Sequence, residues 1–194
     1  MEEKQEYFDP RASLKQIESM IQTARNQISE NGHLYLLWGW LVLFCALFQF
    51  FSIQFQWFEK PYYIWFLCFP ALLYQIFYIR SKQRKSSVRT YTHRILSAVW
   101  MVFCAMGVVM YYQLILQGHH QLFYSQVLLL YGMPTILSGV IIQLRSLVVG
   151  GACCMLLAAI SVHMPMQYQL LLLATAVIVA WIIPGYLLKA KFGK

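Results

Sequence analysis

Charge is what this sequence has least of: only 11% of its 194 residues are Asp, Glu, Lys or Arg, against about 25% in an ordinary soluble domain. Most water-soluble folds of this length are thereby excluded, because their outside would have to be wetted by charged and polar side chains. One sign is scarcer still. All seven acidic residues (Glu2, Glu3, Glu6, Asp9, Glu18, Glu30 and Glu59) lie at or before position 59, so the chain beyond it holds no side-chain carboxylate. Mechanisms that need paired carboxylates lose their material. Also missing are a Walker-type phosphate loop, H-E-x-x-H, G-x-S-x-G and C-x-x-C, which removes the common nucleotide, zinc-protease, serine-hydrolase and dithiol signatures. No cofactor is implied, and an enzyme is not expected.

What is present is apolar. Hydrophobic residues make up 60% of the chain, and they are gathered into uncharged runs long enough to cross a hydrocarbon core of about 30 Å. Six such runs stand out: 34–53, 62–79, 95–116, 122–142, 146–162 and 169–188. The fifth only just reaches, and the Gly150-Gly151 pair near its start lowers helical preference. Continuous runs exclude a β-barrel, whose strands alternate over about ten residues. The expected fold is all-α and polytopic: a cytoplasmic amphipathic helix in 1–32, six transmembrane helices in 33–188, and a short basic tail in 189–194.

Every Lys and Arg except Lys60 falls on one side of this layout. The densest group is the connector with Arg80, Lys82, Arg84, Lys85, Arg89 and Arg94. Cytoplasmic loops retain such residues, so these act as topology anchors, both termini are expected in the cytoplasm, and nucleic acid is not an expected partner. Aromatic rings favour the membrane surfaces, which assigns Tyr35, Trp38 and Trp40 to the inner interface and Trp57, Tyr62, Tyr63 and Trp65 to the outer one.

No span contains Asp, Glu, Lys, Arg or His. Intramembrane ionisable groups cost about 2.5–3.5 kcal/mol or more each and are kept for ion coupling, proton relays and voltage sensing, so those mechanisms are disfavoured. The remaining polar candidates are modest. Gln49, Gln113 and Gln126 share the outer third of their spans and would either line a shallow pocket or bond between helices. Gln75, Thr135 and Ser138 would bond lower down. His119, His120 and His163 lie in outer loops, where three imidazoles could hold a transition metal, although ordinary solvated or interfacial histidines account for them better. The five cysteines fit no ligand or redox spacing and read as small hydrophobes.

On the cytoplasmic side, Asp9-Pro10 begins a helix and Asn31-Gly32 is expected to end it. Between them Leu14, Ile17, Ile21, Ala24 and Ile28 form a narrow apolar seam. It must be covered by the membrane surface, by the protein's own loops, by a second copy, or by a cytosolic partner. Proline in each even span (Pro70, Pro134, Pro184) and glycine in each odd one hint at three repeated hairpins. Small residues at Gly150, Cys154, Ala158, Ala176 and Ala180 predict close packing of the last two spans.

The stretch Asn31-Gly32-His33-Leu34-Tyr35-Leu36-Leu37-Trp38-Gly39-Trp40-Leu41-Val42, with Ile183-Pro184-Gly185-Tyr186-Leu187-Leu188 far downstream, resembles a family of small, functionally uncharacterised six-span bacterial inner-membrane proteins. The resemblance implies six spans and a bacterial inner membrane, and it brings no activity or site residues. Two reporter fusions test the orientation. One that works only in the cytoplasm, placed after Lys194, and one that works only outside, placed after Lys60, should both be active; the opposite pair of signals would invert the topology.

Overall fold

A chain immersed in hydrocarbon has no water to satisfy its amides and carbonyls, so its backbone must bond within each segment. Helix is accordingly the only regular structure among the described residues. The computed structural model describes residues 10–83, 91–118 and 120–192, with side chains for 32–81, 94–114, 116–118 and 121–190. In chain order the elements are α1 (Pro10–Phe55), a 3-10 segment (Pro61–Leu67) running into α2 (Cys68–Gln83), α3 (Tyr91–Gln117), a short 3-10 turn (His120–Leu122), α4 (Phe123–Ile142), α5 (Arg145–Ser161), and α6 (Met166–Val177), which passes through a π turn (Ile178–Ile182) into α7 (Ile183–Phe192).

Five stretches are long and apolar enough to cross a membrane: Gly32–Phe55, Pro61–Ser81, Arg94–Leu114, Phe123–Ile142 and Met166–Ala190. Each coincides, to within a few residues at either end, with an expected run. The other run forms α5, whose 17 residues amount to about 26 Å of helix. Its buried residues Leu147, Gly150, Gly151, Cys154, Ala158 and Ser161 recur at helical spacing, so this short helix is held between neighbours.

The expected stop at Asn31-Gly32 is corrected by the structure. α1 runs without interruption for 46 residues. A glycine ends a helix by taking a left-handed backbone, and among the described residues only Gly118 has the positive φ (69°) of such a glycine. Gly32 serves close approach instead: a Cβ there would lie 3.0 Å from Leu188 Cβ and 3.2 Å from the Gly185 carbonyl oxygen. Seven residues on, a Cβ at Gly39 would meet Ile182 Cγ1 at 2.8 Å. α1 and the last helix therefore run antiparallel along a seam opened by Gly32, Gly39 and Gly185.

The same device sets the other tight contacts. α4 and α5 form the most closely packed pair, with a Cβ at Gly151 falling 2.8 Å from the Gly132 carbonyl oxygen and one at Gly139 falling 2.7 Å from the Val148 amide nitrogen. Their connection is a Schellman closure, in which Leu144 N–H donates to the Gly139 carbonyl (2.8 Å) and Gln143 N–H to that of Val140 (3.2 Å). Gln143 takes the left-handed position, at φ 58°, that glycine usually fills. The expected approach of the last two spans is present as well, since a Cβ at Gly150 would lie 2.6 Å from Ala180 Cα. Ala180 belongs to the π turn, where Ile183 N–H donates to the Ile178 carbonyl. Pro184, next in sequence, has no N–H to continue the ordinary ladder, and the wider turn carries the helix across that gap.

α2 and α3 stand at the periphery. Within their apolar windows 0% and 6% of residues are buried, against 39% in α1, 39% in α4 and 56% in the last helix. The densest packing thus joins α4 to α5 and α1 to the last helix, rather than grouping the chain into three equivalent hairpins. The prolines differ as well: Pro70 is exposed in the first turn of α2, Pro134 is buried inside α4, and Pro184 follows the π turn. Replacing Gly150 by Leu should force α5 off the π turn and cost about 1–3 kcal/mol, read as a lowered unfolding temperature in detergent, whereas Ala152→Leu on the exposed face of α5 should leave that temperature unchanged.

Candidate functional site

A polar side chain inside an apolar bundle is costly unless it finds a partner, so the inward polar residues show where the structure concentrates its interactions. Gln49 on α1 is 2% exposed. Its Oε1 accepts two hydrogen bonds, from Trp65 Nε1 at 2.5 Å and from Tyr124 Oη at 2.6 Å. The rings of Trp65 and Tyr124 lie 6.1 Å apart, so one carbonyl joins α1, the 3-10 segment before α2, and α4. Trp38 Nε1 on α1 donates to Gln75 Oε1 on α2 (2.5 Å), a second tie to this peripheral helix.

Deeper in, Trp181 Nε1 donates to Thr135 Oγ1 (3.1 Å), whose own hydroxyl donates back to the Tyr131 carbonyl (2.7 Å). The Trp181 ring lies 4.7 Å from that of Tyr131 and 6.0 Å from that of Trp100. Trp100 in turn meets Tyr35 edge-on at 6.0 Å. This aromatic cluster ties α3 to α1, α4 and the π turn. Tyr35, expected at the inner interface, is buried with its hydroxyl towards Ser138 and Trp100. Sequence position indicates a ring's depth, but not whether it faces lipid or protein, and that direction is what the expectation lacked. Trp40, Trp57, Tyr62 and Tyr63 are exposed, as membrane-surface rings should be, whereas Trp65 is turned to Gln49.

The three glutamines differ in exposure. Gln113 is exposed on α3 and Gln126 is half-buried on α4, so of the three only Gln49 is a fully buried group. Among the described residues no group of three His, Cys, Asp or Glu is placed to hold a metal. His163 is exposed beyond α5, while His119 and the His120 side chain lie outside the described residues. The seam residues Leu14, Ile17, Ile21, Ala24 and Ile28 are in α1, but their side chains also lie outside the described residues. Of the topology anchors, Arg80 and Arg94 are exposed; the Lys82 side chain and Arg84, Lys85 and Arg89 lie outside the described residues. The cysteines are all free, with Cys45 on α1 facing Cys68 at the start of α2.

Two open hollows adjoin the turn between α1 and α2. One, of about 500 Å³, is walled by Phe48, Phe58, Tyr63, Phe66, Leu67 and Pro70, with Lys60 at its edge. The other, of about 420 Å³, is lined by Ser52, Ile53, Gln56, Phe58, Glu59 and Pro61. Sequence reasoning missed this place, although Glu59 and Lys60 are the only Asp, Glu, Lys or Arg between positions 31 and 79 and were its one visible signal.

No family model, curated protein or solved structure matches the chain. Fold and composition together define an integral, multi-pass α-helical membrane protein. Gln49 is a buried polar group that accepts from two other elements, and Gln49→Leu would leave the Trp65 and Tyr124 donors without their acceptor at a cost of about 1–2 kcal/mol. Thermal unfolding in detergent should show a smaller loss for the same change in a Tyr124→Phe background; equal losses in both would mean that the Tyr124 bond contributes nothing.

Proposed function

We propose that this integral membrane protein acts by contact, as a scaffold or regulator, through the seam of Leu14, Ile17, Ile21, Ala24 and Ile28. The observation that carries this reading is the continuity of α1 from Pro10 to Phe55. The helix bearing the seam is the same rod that packs by Gly32 and Gly39 against the last helix, so a partner gripping the seam would be mechanically joined to the membrane bundle. In this reading the protein resides in a bacterial inner membrane, crosses it six times with both termini cytoplasmic, and engages a second copy or a cytosolic protein. The charge asymmetry of its connectors and the resemblance of its first and last spans support that placement.

A second reading is a small-solute transporter or facilitator made of three hairpins. The π turn beside Pro184 favours it, because single π turns often occur at functional sites. Against it stands Gln49, whose carbonyl is engaged by Trp65 and Tyr124 rather than turned towards a vestibule. Charging the seam decides whether contact is the function: Ile17→Glu with Ile21→Glu should leave insertion intact and abolish in-cell crosslinks formed from the 10–31 segment, and an unchanged crosslink pattern would overturn the proposal.

A further inference from the structure

The turn joining α1 to α2 brings together features that a soluble surface loop would not combine. Its larger hollow is open, and its wall is built from Phe48, Phe58, Tyr63, Phe66, Leu67 and Pro70. In a multi-pass membrane protein such a side cleft is bathed by lipid. Its volume of about 500 Å³ falls within the range of ligand pockets, about 300–1,000 Å³. Trp57, Tyr62 and Tyr63, all exposed, place this level at the membrane surface, where headgroups lie.

The two hollows meet at Phe58 and Pro61, which line both, and together they form a cleft with one charge of each sign, Lys60 on the larger hollow and Glu59 on the smaller. Glu59 and Lys60 are both exposed, and neither has an ion-pair partner among the described residues. Ser52, on the last turn of α1, is only 1% exposed. Its hydroxyl lines the smaller hollow and has no hydrogen-bond partner. A buried hydroxyl without a partner is costly, and this one shares its hollow with Glu59.

We propose that this cleft binds one zwitterionic phospholipid with a primary-amine headgroup, of the phosphatidylethanolamine class. An acyl chain lies along Phe48, Tyr63, Phe66 and Leu67, the phosphate meets the Lys60 ammonium, and the headgroup ammonium donates to the Glu59 carboxylate with Ser52 beside it. An anionic headgroup lacking an amine would satisfy Lys60 but be repelled by Glu59. A trimethylated amine would have no N–H to donate. The proposal depends on the protein being membrane-embedded and not on the seam.

Native mass spectrometry of the full chain, released from detergent after exposure to equal amounts of phosphatidylethanolamine, phosphatidylglycerol and phosphatidylcholine, tests this. One retained lipid per chain is expected, with the primary-amine lipid favoured roughly twofold to fivefold, the scale of a single exposed ion pair. Glu59→Gln should remove the preference over phosphatidylglycerol, and Lys60→Gln should lower retention of both. The part of the tryptophan fluorescence that Trp57→Phe removes should be quenched more strongly by brominated phosphatidylethanolamine than by its brominated phosphatidylglycerol counterpart, an independent reading. Equal retention of all three lipids, variants that behave as the unaltered chain, or a lipid-free dimer closing the cleft would each overturn the proposal. Resistance to alkaline carbonate extraction separates the two levels: a chain that is extracted fails as a membrane protein, whereas one that resists without lipid preference fails only here.

Discussion

Apolar side chains gain little by leaving lipid for another apolar surface, so helices in a membrane hold together by close van der Waals fit and by polar bonds. In this chain that constraint falls first on the antiparallel contact between α1 and the last helix. Gly32, Gly39 and Gly185 remove the side chains that would keep the two backbones apart. α5 then docks on the π turn through Gly150, and α4 docks on α5 through Gly132, Gly139 and Gly151. Each helix of the inner bundle is placed by a surface with small residues on its neighbour. The first and last spans, distant in sequence, form its central contact.

α2 and α3 join by other means. Neither buries a substantial part of its apolar length. α2 is held through Trp38 to Gln75 and through the approach of Trp65 to Gln49, and α3 through the rings of Trp100 and Phe103 against Tyr35, Trp181 and Tyr131. The bundle thus combines a glycine-packed interior with an aromatic and amide-bonded periphery. Aromatic contacts of this kind are worth about 0.5–1.5 kcal/mol beyond burial, which makes them fitting attachments for helices otherwise surrounded by lipid.

Much of the architecture was legible because hydrocarbon thickness imposes a length that apolar runs display directly. The approach of Gly150 to Ala180 was legible too, since small residues recurring every four positions have few other uses in a span. Gly32 was not. After a polar amphipathic stretch a glycine signals a helix end, and only the arrival of Gly185 and Leu188, far along the chain, shows that it marks a crossing. Gln49 was expected to face inward and does, but whether its amide lines a space or binds a neighbour depends on where Trp65 and Tyr124 arrive. Tyr35 shows a similar gap, since a ring assigned to the inner interface is buried beside Trp100. The stretches 31–42 and 183–188, far apart in sequence, face each other across Gly32 and Gly185, a pairing that neither stretch announces by itself.

An unbroken α1 also has a mechanical meaning. The 22 residues of α1 that precede Gly32 extend about 33 Å at 1.5 Å per residue. Without a flexible joint at residue 32, this segment is a lever whose pivot is the glycine crossing with the last helix. A tilt of about 10° at that pivot would sweep the far end through about 6 Å, taking the same helical rise as the arm length. Small adjustments within the bilayer, too slight to open a passage, would reach the far end of α1 as displacements comparable to one helical turn.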